Sequence, residues 1–153
     1  MAATAFGPDF KWPTEDGFAD AFELVMDIYD CDYLKISSSE AVARWAGTEF
    51  VRVSGLRPAG KPDAPDFGHA KNKTAGPSVV QLLKEGSNIS HFSMNWLLIV
   101  VNIVSRKPIP LRRVVENAMR YFRGGSAVCW IVPRGVRSRN VAEIADRTFM
   151  FTV

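Results

Sequence analysis

The feature that most restricts the fold of this chain is an apolar run at residues 96–104, with the sequence WLLIVVNIV. The run is too short to cross a bilayer, since a membrane-spanning helix needs about 20 residues. A segment that is apolar on every side belongs in the interior of a domain, as a central helix or as a buried strand. We favour a helix over 91–104, because this wider segment is long for a strand and ends only before Pro108 and Pro110.

The segment 109–123 has the clearest periodicity in the sequence. Its apolar residues recur at the spacing of one helix face and are Leu111, Val114, Val115, Ala118, Met119 and Phe122. Four arginines and Glu116 occupy the opposite face, and the pair Gly124-Gly125 follows. Because glycine commonly ends helices, the pattern predicts an amphipathic helix that terminates at Arg123.

Four more helices and two short strands complete the predicted fold. Thr14 and Ser37 to Ser39 supply N-cap residues, and the pattern predicts helices at 14–30, 41–46, 77–85 and 139–150. Gly47 is predicted to close the second of these helices, and strands are predicted at 48–54 and 127–132. The expected fold class is therefore mainly α: a helical, bundle-like single domain at 14–153 with a short β element, and an extended N-terminal arm at 1–13.

Residues 55–77 are rich in glycine and proline and show no apolar periodicity, which predicts a long loop. Long irregular loops in small domains are usually functional or mobile. Lys61, His69, Lys71 and Lys73 would let this loop touch a polyanion. The alternative interpretation is a surface loop without a ligand.

The charges are sorted along the chain. Residues 1–50 hold three basic and ten acidic side chains, whereas residues 106–147 hold ten basic and three acidic ones. Arginine dominates the basic third, and its rigid fork of donors matches phosphate geometry. Nucleic acid is the commonest polyanion, so the segment suggests nucleic-acid contact. The alternative is a solvated face, balanced by the acidic third within one chain or between subunits.

The predicted nucleic-acid interface consists of arginines in helix 109–123 and in the basic turn after it. These residues are Arg112, Arg113, Arg120, Arg123, Arg134, Arg137 and Arg139. Phosphate contacts of this kind carry no base specificity. Tyr121 and Trp130 are candidates for stacking on unpaired bases, although the apolar neighbours of Trp130 favour a place in the core.

Catalytic and metal motifs find little support in the sequence. The chain contains no GxSxG, HExxH or Walker A pattern. A nucleophilic pair of Cys31 or Cys129 with His69 or His91 has no sequence feature that joins its members, and a Cys31–Cys129 bridge is left open. Asp27, Asp30 and Asp32 could bind a hard cation but lack EF-hand spacing, and they are interpreted as acidic surface or as the docking partner of a neighbour's arginines. We therefore predict no metal, no cofactor and no enzyme activity, with a small enzyme lacking known motifs as a minor alternative.

Two blocks in the basic third resemble the coat proteins of flexuous filamentous plant viruses, the potyvirus group above all. The first block is PLRRVVENAMRYFR at 110–123. The second comprises the Pro133-Arg134 pair, the Arg139-Asn140-Val141 run, Glu143-Ile144 and the aromatic segment at 148–151. The resemblance is confined to residues 110–151, and it implies a helical coat protein in which Arg123 lines the RNA pocket.

The leading functional prediction is thus a structural, coat- or nucleocapsid-like protein that binds single-stranded RNA through its arginine-rich face. It would self-assemble into rings or filaments, with the acidic third of one subunit facing the basic third of another. The alternative is a non-enzymatic adaptor or regulatory protein whose basic face binds an acidic protein surface. No signal peptide is indicated at the N-terminus, which predicts an intracellular, cytoplasmic location or a place in a virion, without membrane contact.

Overall fold

The computed structural model describes residues 10–68 and 75–153 and shows a six-stranded antiparallel sheet and five α-helices. The strands are β1 (Ala19–Tyr29), β2 (Ser78–Leu83), β3 (Gly86–Ser93), β4 (Leu98–Ser105), β5 (Ser126–Val136) and β6 (Phe149–Thr152). The helices are α1 (Tyr33–Ile36), α2 (Ser39–Arg44), α3 (Phe50–Ser54), α4 (Leu111–Phe122) and α5 (Val141–Asp146). The strand order is β2-β3-β4-β1-β5-β6. The prediction of a mainly α-helical bundle is wrong.

The predicted helix at 14–30 is instead the long central strand β1. Phe22, Leu24, Met26 and Ile28 alternate with less buried residues, so their burial has a period of two rather than 3.6. β1 pairs with β4 on one side and with β5 on the other. A strand that satisfies its backbone groups on both sides is stabilised by tertiary pairing, which overrides local helix signals.

The predicted helix at 77–85 forms the first half of a β-hairpin. β2 and β3 pair from Ser78↔His91 to Leu83↔Gly86, so only Lys84 and Glu85 form the turn. Gly86 lies so close to β4 that a Cβ there would stand 1.9 Å from the carbonyl oxygen of Val104. Close backbone approach of this kind explains a glycine inside a strand pattern.

The apolar run is also a strand rather than a helix. Residues 91–104 contain the end of β3, a turn at 94–97 and most of β4, so the predicted helix is wrong. The prediction of deep burial is confirmed for the part of the run within β4, where Ile99, Val101 and Ile103 are fully buried, but not for Trp96, which is 71% exposed. An all-apolar segment fits a buried strand as well as a buried helix, and periodicity alone does not separate the two.

The helix expected at 41–46 begins as predicted and ends later. The side chain of Ser38 accepts a hydrogen bond from the N–H of Ala41, which caps α2. The helix then passes through a π-helical turn at Trp45–Glu49 into α3, which replaces the strand predicted at 48–54, and ends at Gly55 in a left-handed conformation. Gly47 therefore does not end the helix. It faces the ring of Pro62 instead, where a Cβ would stand 2.9 Å away.

In the basic third, the predicted amphipathic helix and the predicted β segment are both confirmed, and the last predicted helix is confirmed in part. The amphipathic segment is α4, with its apolar face buried and Arg123 as a left-handed C-cap. The β-leaning segment 127–132 lies within the longer strand β5. The helix predicted at 139–150 extends only over α5, because β6 then pairs with β5 from Ile131↔Phe149 onward.

An aromatic cluster joins the helical layer to the sheet. The ring of Trp45 lies 5.1 Å from that of Phe122 and 6.5 Å from that of Phe92. The Nε1–H of Trp45 donates to Oδ1 of Asn117 in α4, at 3.2 Å. These contacts place α4 on the same side of the sheet as Phe92, which we call the helix face. The opposite side of the sheet is called the open face.

Part of the predicted N-terminal arm packs on the body of the chain. Phe10 contacts Phe149 at 5.1 Å between ring centroids, and Trp12 contacts Phe22 at 4.3 Å. Residues 1–9 of the predicted arm, including Phe6, lie outside the described residues.

The described part of the predicted loop 55–77 covers the outer edge of β2. Ser78 donates its N–H to the carbonyl of Pro65, Val80 and Asp63 exchange hydrogen bonds, and Lys84 donates to Arg57. Covering an edge strand protects its backbone groups from pairing with other chains. Lys61 is exposed, whereas His69, Lys71 and Lys73 lie outside the described residues.

An ion pair fastens this covering segment to the hairpin. Glu85, whose side chain is 9% exposed, accepts from the backbone N–H of Arg57 at 2.9 Å and from its Nε at 2.7 Å. These two interactions, the backbone one first, hold the pKa of Glu85 below its ordinary value of 4.5. A carboxyl group with a lowered folded-state pKa stabilises the fold above its unfolded pKa, and this stabilisation disappears as the pH falls through the folded pKa.

Replacing Arg57 tests this linkage. Arg57→Ala is expected to lower the free energy of unfolding at about pH 7 by up to about 1 kcal/mol, because the guanidinium is largely exposed and screened. The difference from wild type should shrink as the pH falls below about 4, where Glu85 becomes protonated in both proteins. Urea unfolding at several pH values measures both effects. Arg113→Ala is the control, and a constant difference at all pH values would contradict the assignment.

Candidate functional site

The predicted arginine interface is not one continuous surface. Arg112, Arg113 and Arg120 are exposed on α4, which packs on the helix face. Arg134 is paired with Glu23 on the open face, and Arg137 and Arg139 lie exposed in the segment that follows β5. The helix and the basic turn therefore present their charges on different sides of the sheet.

The chain's own carboxylates neutralise much of the basic third. Four ion pairs join the acidic third to the basic third: Arg106–Asp20 at 3.2 Å, Arg123–Asp32 at 3.2 Å, Arg147–Asp16 at 2.7 Å, and Arg134–Glu23. A fifth pair, Arg112–Glu116, lies within α4. The acidic and basic thirds therefore form ion pairs within one subunit. This agrees with the alternative interpretation, in which the acidic third balances the basic third.

The remaining predicted site residues are solvated. Arg113, Arg120, Arg137 and Arg139 form no ion pair with another described residue. Arg113 and Arg120 lie on α4, whereas Arg137 and Arg139 lie in the segment between β5 and α5. Tyr121 donates its hydroxyl to the carbonyl of Ala41 at 2.8 Å, so its tip is engaged in joining α4 to α2.

A groove of about 490 Å³ lies at the end of the sheet where β2 begins and β3 ends. It is lined by the segments 65–67 and 75–78, by Val80 and by residues 91–93. Most of this lining is apolar, with a few polar groups, which is the usual composition of a small-molecule site.

A serine–histidine pair lies in the groove. Ser78 and His91 face each other across β2 and β3, with Oγ and Nδ1 2.8 Å apart. The tautomer of the ring decides which of the two donates. Within the described chain, Nε2 makes no hydrogen bond, so this nitrogen remains able to contact a ligand or to move a proton.

The rim of the groove is fixed by backbone geometry. Phe67 donates its N–H to the carbonyl of Gly76, and Gly76 donates to Gly68, so the two walls are hydrogen-bonded. Gly76 has φ +124°, and a Cβ there would stand 2.0 Å from the carbonyl oxygen of Phe92. Only glycine permits this approach. The ring of Phe67 is 58% exposed at the rim, which leaves an aromatic surface open to a ligand.

Backbone strain is concentrated at the same end of the sheet. The described non-glycine residues with positive φ are Asp30, Leu97 and Arg123, which follow β1, precede β4 and follow α4. Their loops are tied together, since Cys31 donates to the carbonyl of Leu97 at 2.9 Å and Gly125 donates to Tyr29 at 2.8 Å. Strained conformations cluster at functional sites, and this clustering favours the groove end as the functional end of the molecule.

A buried polar cluster lies on the helix face behind the groove. Ser90 donates to Oδ1 of Asn88 at 2.7 Å, and Gln81 pairs with Asn88 across β2 and β3. Gln81 also donates to the carbonyls of Gly60 and Leu82, which holds the covering segment. The Oε1 of Gln81 and the Nδ2 of Asn88 have no hydrogen-bond partner among the described residues. Burying such groups costs about 1–3 kcal/mol each.

The other sites considered from the sequence do not form among the described residues, which do not include His69. Cys31 and Cys129 are buried free thiols, and burial raises the pKa of each to about 12. Thiols of this kind are poor nucleophiles, and His91 pairs with Ser78 instead. Asp32 caps α1 and pairs with Arg123, and Asp27 lies on the open face. Within residues 10–68 and 75–153, no cluster of histidine, cysteine and acidic residues suited to a metal is found, and no helix is long and apolar enough to span a membrane.

Comparison with known proteins identifies a solved structure with a similar fold. That structure is an enzyme. The crystal structure of the adenosylmethionine decarboxylase from Aquifex aeolicus VF5 superposes with a TM-score of 0.65 and 16% sequence identity, over 80% of this chain and 96% of that one. No family model matches the sequence, and no curated protein is significantly similar to it.

This similarity overturns the coat-protein prediction. The chain shares the fold of an enzyme and not the helical fold that a filamentous coat protein would have. The prediction that the chain is not an enzyme finds no support in that fold. The pair Ser78 and His91 is not evident in the sequence, although the two residues are only 13 positions apart, because they meet through the register of the β2–β3 hairpin. Burial alternates with a period of two along these strands, but the residue types in SVVQLL and GSNISHFS do not, so no local pattern predicts the pairing.

Proposed function

We propose that this chain is an enzyme that binds an adenosine-containing small molecule, of the adenosylmethionine type, in the groove beside Ser78 and His91. The observation that carries the proposal is the serine–histidine pair inside an apolar groove, in a fold shared with an adenosylmethionine decarboxylase. A purine is flat and apolar with a polar edge, so it suits an aromatic surface flanked by a few hydrogen-bonding groups.

Each groove residue has a role in this proposal. The exposed ring of Phe67 stacks on the purine. Ser78 fixes the orientation of His91 through the bond between Oγ and Nδ1, which leaves Nε2 directed at the ligand. An imidazole nitrogen can accept or donate a proton, so Nε2 exchanges a proton with the reacting group of the bound molecule.

Binding is tested by isothermal titration of the full chain with adenosylmethionine. We expect measurable binding, and a loss of at least about tenfold in affinity for Phe67→Ala and for His91→Gln, which corresponds to about 1.4 kcal/mol. Ser87→Ala is the matched control, because Ser87 lies on the same face of β3 away from the groove. Equal affinity in wild type and both groove variants would place any binding elsewhere.

Catalysis is tested separately, by release of labelled carbon dioxide from carboxyl-labelled adenosylmethionine. Release by the wild type that falls by at least about 100-fold in His91→Gln would support a decarboxylase in which the bond from Cα to the carboxylate breaks and His91 supplies the proton that Cα gains. Binding without release would retain the groove as a ligand site and exclude decarboxylation as the reaction.

A further inference from the structure

A second cavity, of about 220 Å³, is lined by residues of α1, α2 and α4 and of the turn between the first two helices. It shares no lining residue with the groove beside Ser78 and His91. Its walls are mostly polar and are formed by Lys35, Ser38, Glu40, Ala41, Arg44 and Tyr121. Polar walls favour a ligand that forms hydrogen bonds, because an apolar ligand would leave the groups of the wall without partners.

Two of the three basic side chains in the acidic third of the chain line this cavity. They are Lys35 and Arg44. Among the described residues, neither forms an ion pair with a carboxylate, whereas four carboxylates of the same third are paired with arginines of the basic third. Both cations therefore lack a counter-ion from the described chain, and an anionic ligand in the cavity would supply one.

The polar groups of the cavity are held in place before any ligand binds. The Nζ of Lys35 lies over the ring of Tyr121, 4.8 Å from its centroid. The hydroxyl of Tyr121 donates to the carbonyl of Ala41 at 2.8 Å, which fixes the ring. The Oγ of Ser38 accepts from the N–H of Ala41 at 3.1 Å, so its own hydrogen is available to a ligand. A site prepared in this way loses less conformational entropy on binding.

Carboxylates near the cavity do not cancel its positive charge. Glu40 lines the cavity and sets one negative charge against the two positive ones. Glu49 lies close enough to Arg44 for their charges to interact, but it is paired with Arg52 at 2.8 Å and accepts from Nδ2 of Asn117 at 3.5 Å. The charge that remains for a ligand is therefore positive.

We propose that this cavity binds a phosphate group, either as inorganic phosphate or as part of a small phosphate monoester. The guanidinium of Arg44 offers paired donors that match two phosphate oxygens, and Lys35 adds a point charge beside them. The hydroxyl of Ser38 donates to a third oxygen. A phosphate monoester carries three strong acceptor oxygens and a charge of about −1.5 to −2 at neutral pH. It therefore satisfies both cations despite the repulsion from Glu40.

Isothermal titration of the full chain with inorganic phosphate, and separately with glycerol phosphate, tests the proposal. For at least one of the two we expect a Kd of about 1 mM or below, and a loss of at least about tenfold in affinity for Lys35→Gln and for Arg44→Gln. Glu40→Gln should tighten the binding of inorganic phosphate by about two- to fivefold, because it removes a like charge. Arg113→Gln is the matched control, because Arg113 is exposed on α4 outside the cavity.

The two ligands distinguish the source of the phosphate group. Tighter binding of glycerol phosphate would assign the cavity to an organic phosphate, and equal binding would assign it to the free ion. The absence of binding of either ligand at about 10 mM, tenfold above the expected Kd, would overturn the proposal. An equal loss in Arg113→Gln would also overturn it, because the basic surface as a whole would then attract the anion.

Two further measurements keep the result interpretable. Circular dichroism establishes that each variant is folded, and glutamine retains part of the apolar stem of the side chain that it replaces. The proposal does not rest on the proposed function, and we expect adenosylmethionine to bind Lys35→Gln as it binds the wild type. A loss of adenosylmethionine affinity in this variant would show that the cavity is part of the groove site, which overturns a separate phosphate site.

Discussion

Gly86→Ala is expected to lower the free energy of unfolding by at least about 3 kcal/mol, at or above the usual cost of overpacking. A Cβ at this position would lie 1.9 Å from the carbonyl oxygen of Val104 and 2.7 Å from its carbon. Both obstructing atoms belong to the backbone of β4, so no side-chain rotation relieves the contact. β3 would have to separate from β4 at the Gly86↔Ser105 pair. Urea unfolding monitored by circular dichroism measures the loss.

Gly55→Ala is the matched control for this prediction. Gly55 is left-handed, with φ +72°, and a Cβ at this position would have nothing within 4 Å. The expected cost is therefore only the conformational penalty of about 1–2 kcal/mol for a non-glycine residue in this region. Equal destabilisation by the two substitutions would show that β3 and β4 do not approach each other so closely at Gly86.

Trp45→Ala is expected to cost about 3–5 kcal/mol, the range found for removing a large buried aromatic side chain. Trp45 is fully buried, and its ring contacts Phe50 and Phe122, with Phe92 at 6.5 Å. The substitution also leaves the Oδ1 of Asn117 without the indole donor. Thermal and urea unfolding measure the change. We also expect the helices and the sheet no longer to unfold in a single cooperative transition.

Trp96→Ala provides the comparison, because Trp96 is 71% exposed in the turn between β3 and β4. A surface substitution of this kind should change stability by less than about 0.5 kcal/mol. A small effect of Trp45→Ala, similar to that of Trp96→Ala, would contradict the aromatic cluster as the link between helices and sheet.

The parts of the fold that could be predicted from the sequence are those with one unambiguous period. α4 follows from its helical spacing and its terminal glycines, and β5 follows from a short β-leaning run. The helix predicted in place of β1 is wrong because the apolar residues there include Leu24 and Val25 at successive positions, which satisfies helical spacing as well as alternation. The long-range pairing of β1 with β4 and β5 decides between the two, and no local pattern contains that information.

The candidate site could not be predicted from the sequence for the same reason, because it depends on contacts between different strands and helices. In the sequence the arginines resemble a free polyanion-binding surface, because their partners lie far away along the chain. Asp32 is 91 positions from Arg123, and Glu23 is 111 positions from Arg134. The Ser78–His91 contact depends on the register of the β2–β3 hairpin. The burial of apolar segments could be inferred from composition. The partners of the arginines and of His91 follow only from the strand order and register, which the sequence alone did not reveal.

The measurement that tests the groove assignment most directly is two-dimensional amide NMR of the full chain during titration with adenosylmethionine. We expect shifts to concentrate at Phe67, Gly76, Ser78 and His91, with the exposed arginines of α4 unaffected. Shifts confined to α4 and the segment after β5, or no shifts at millimolar ligand, would contradict the groove as the functional site.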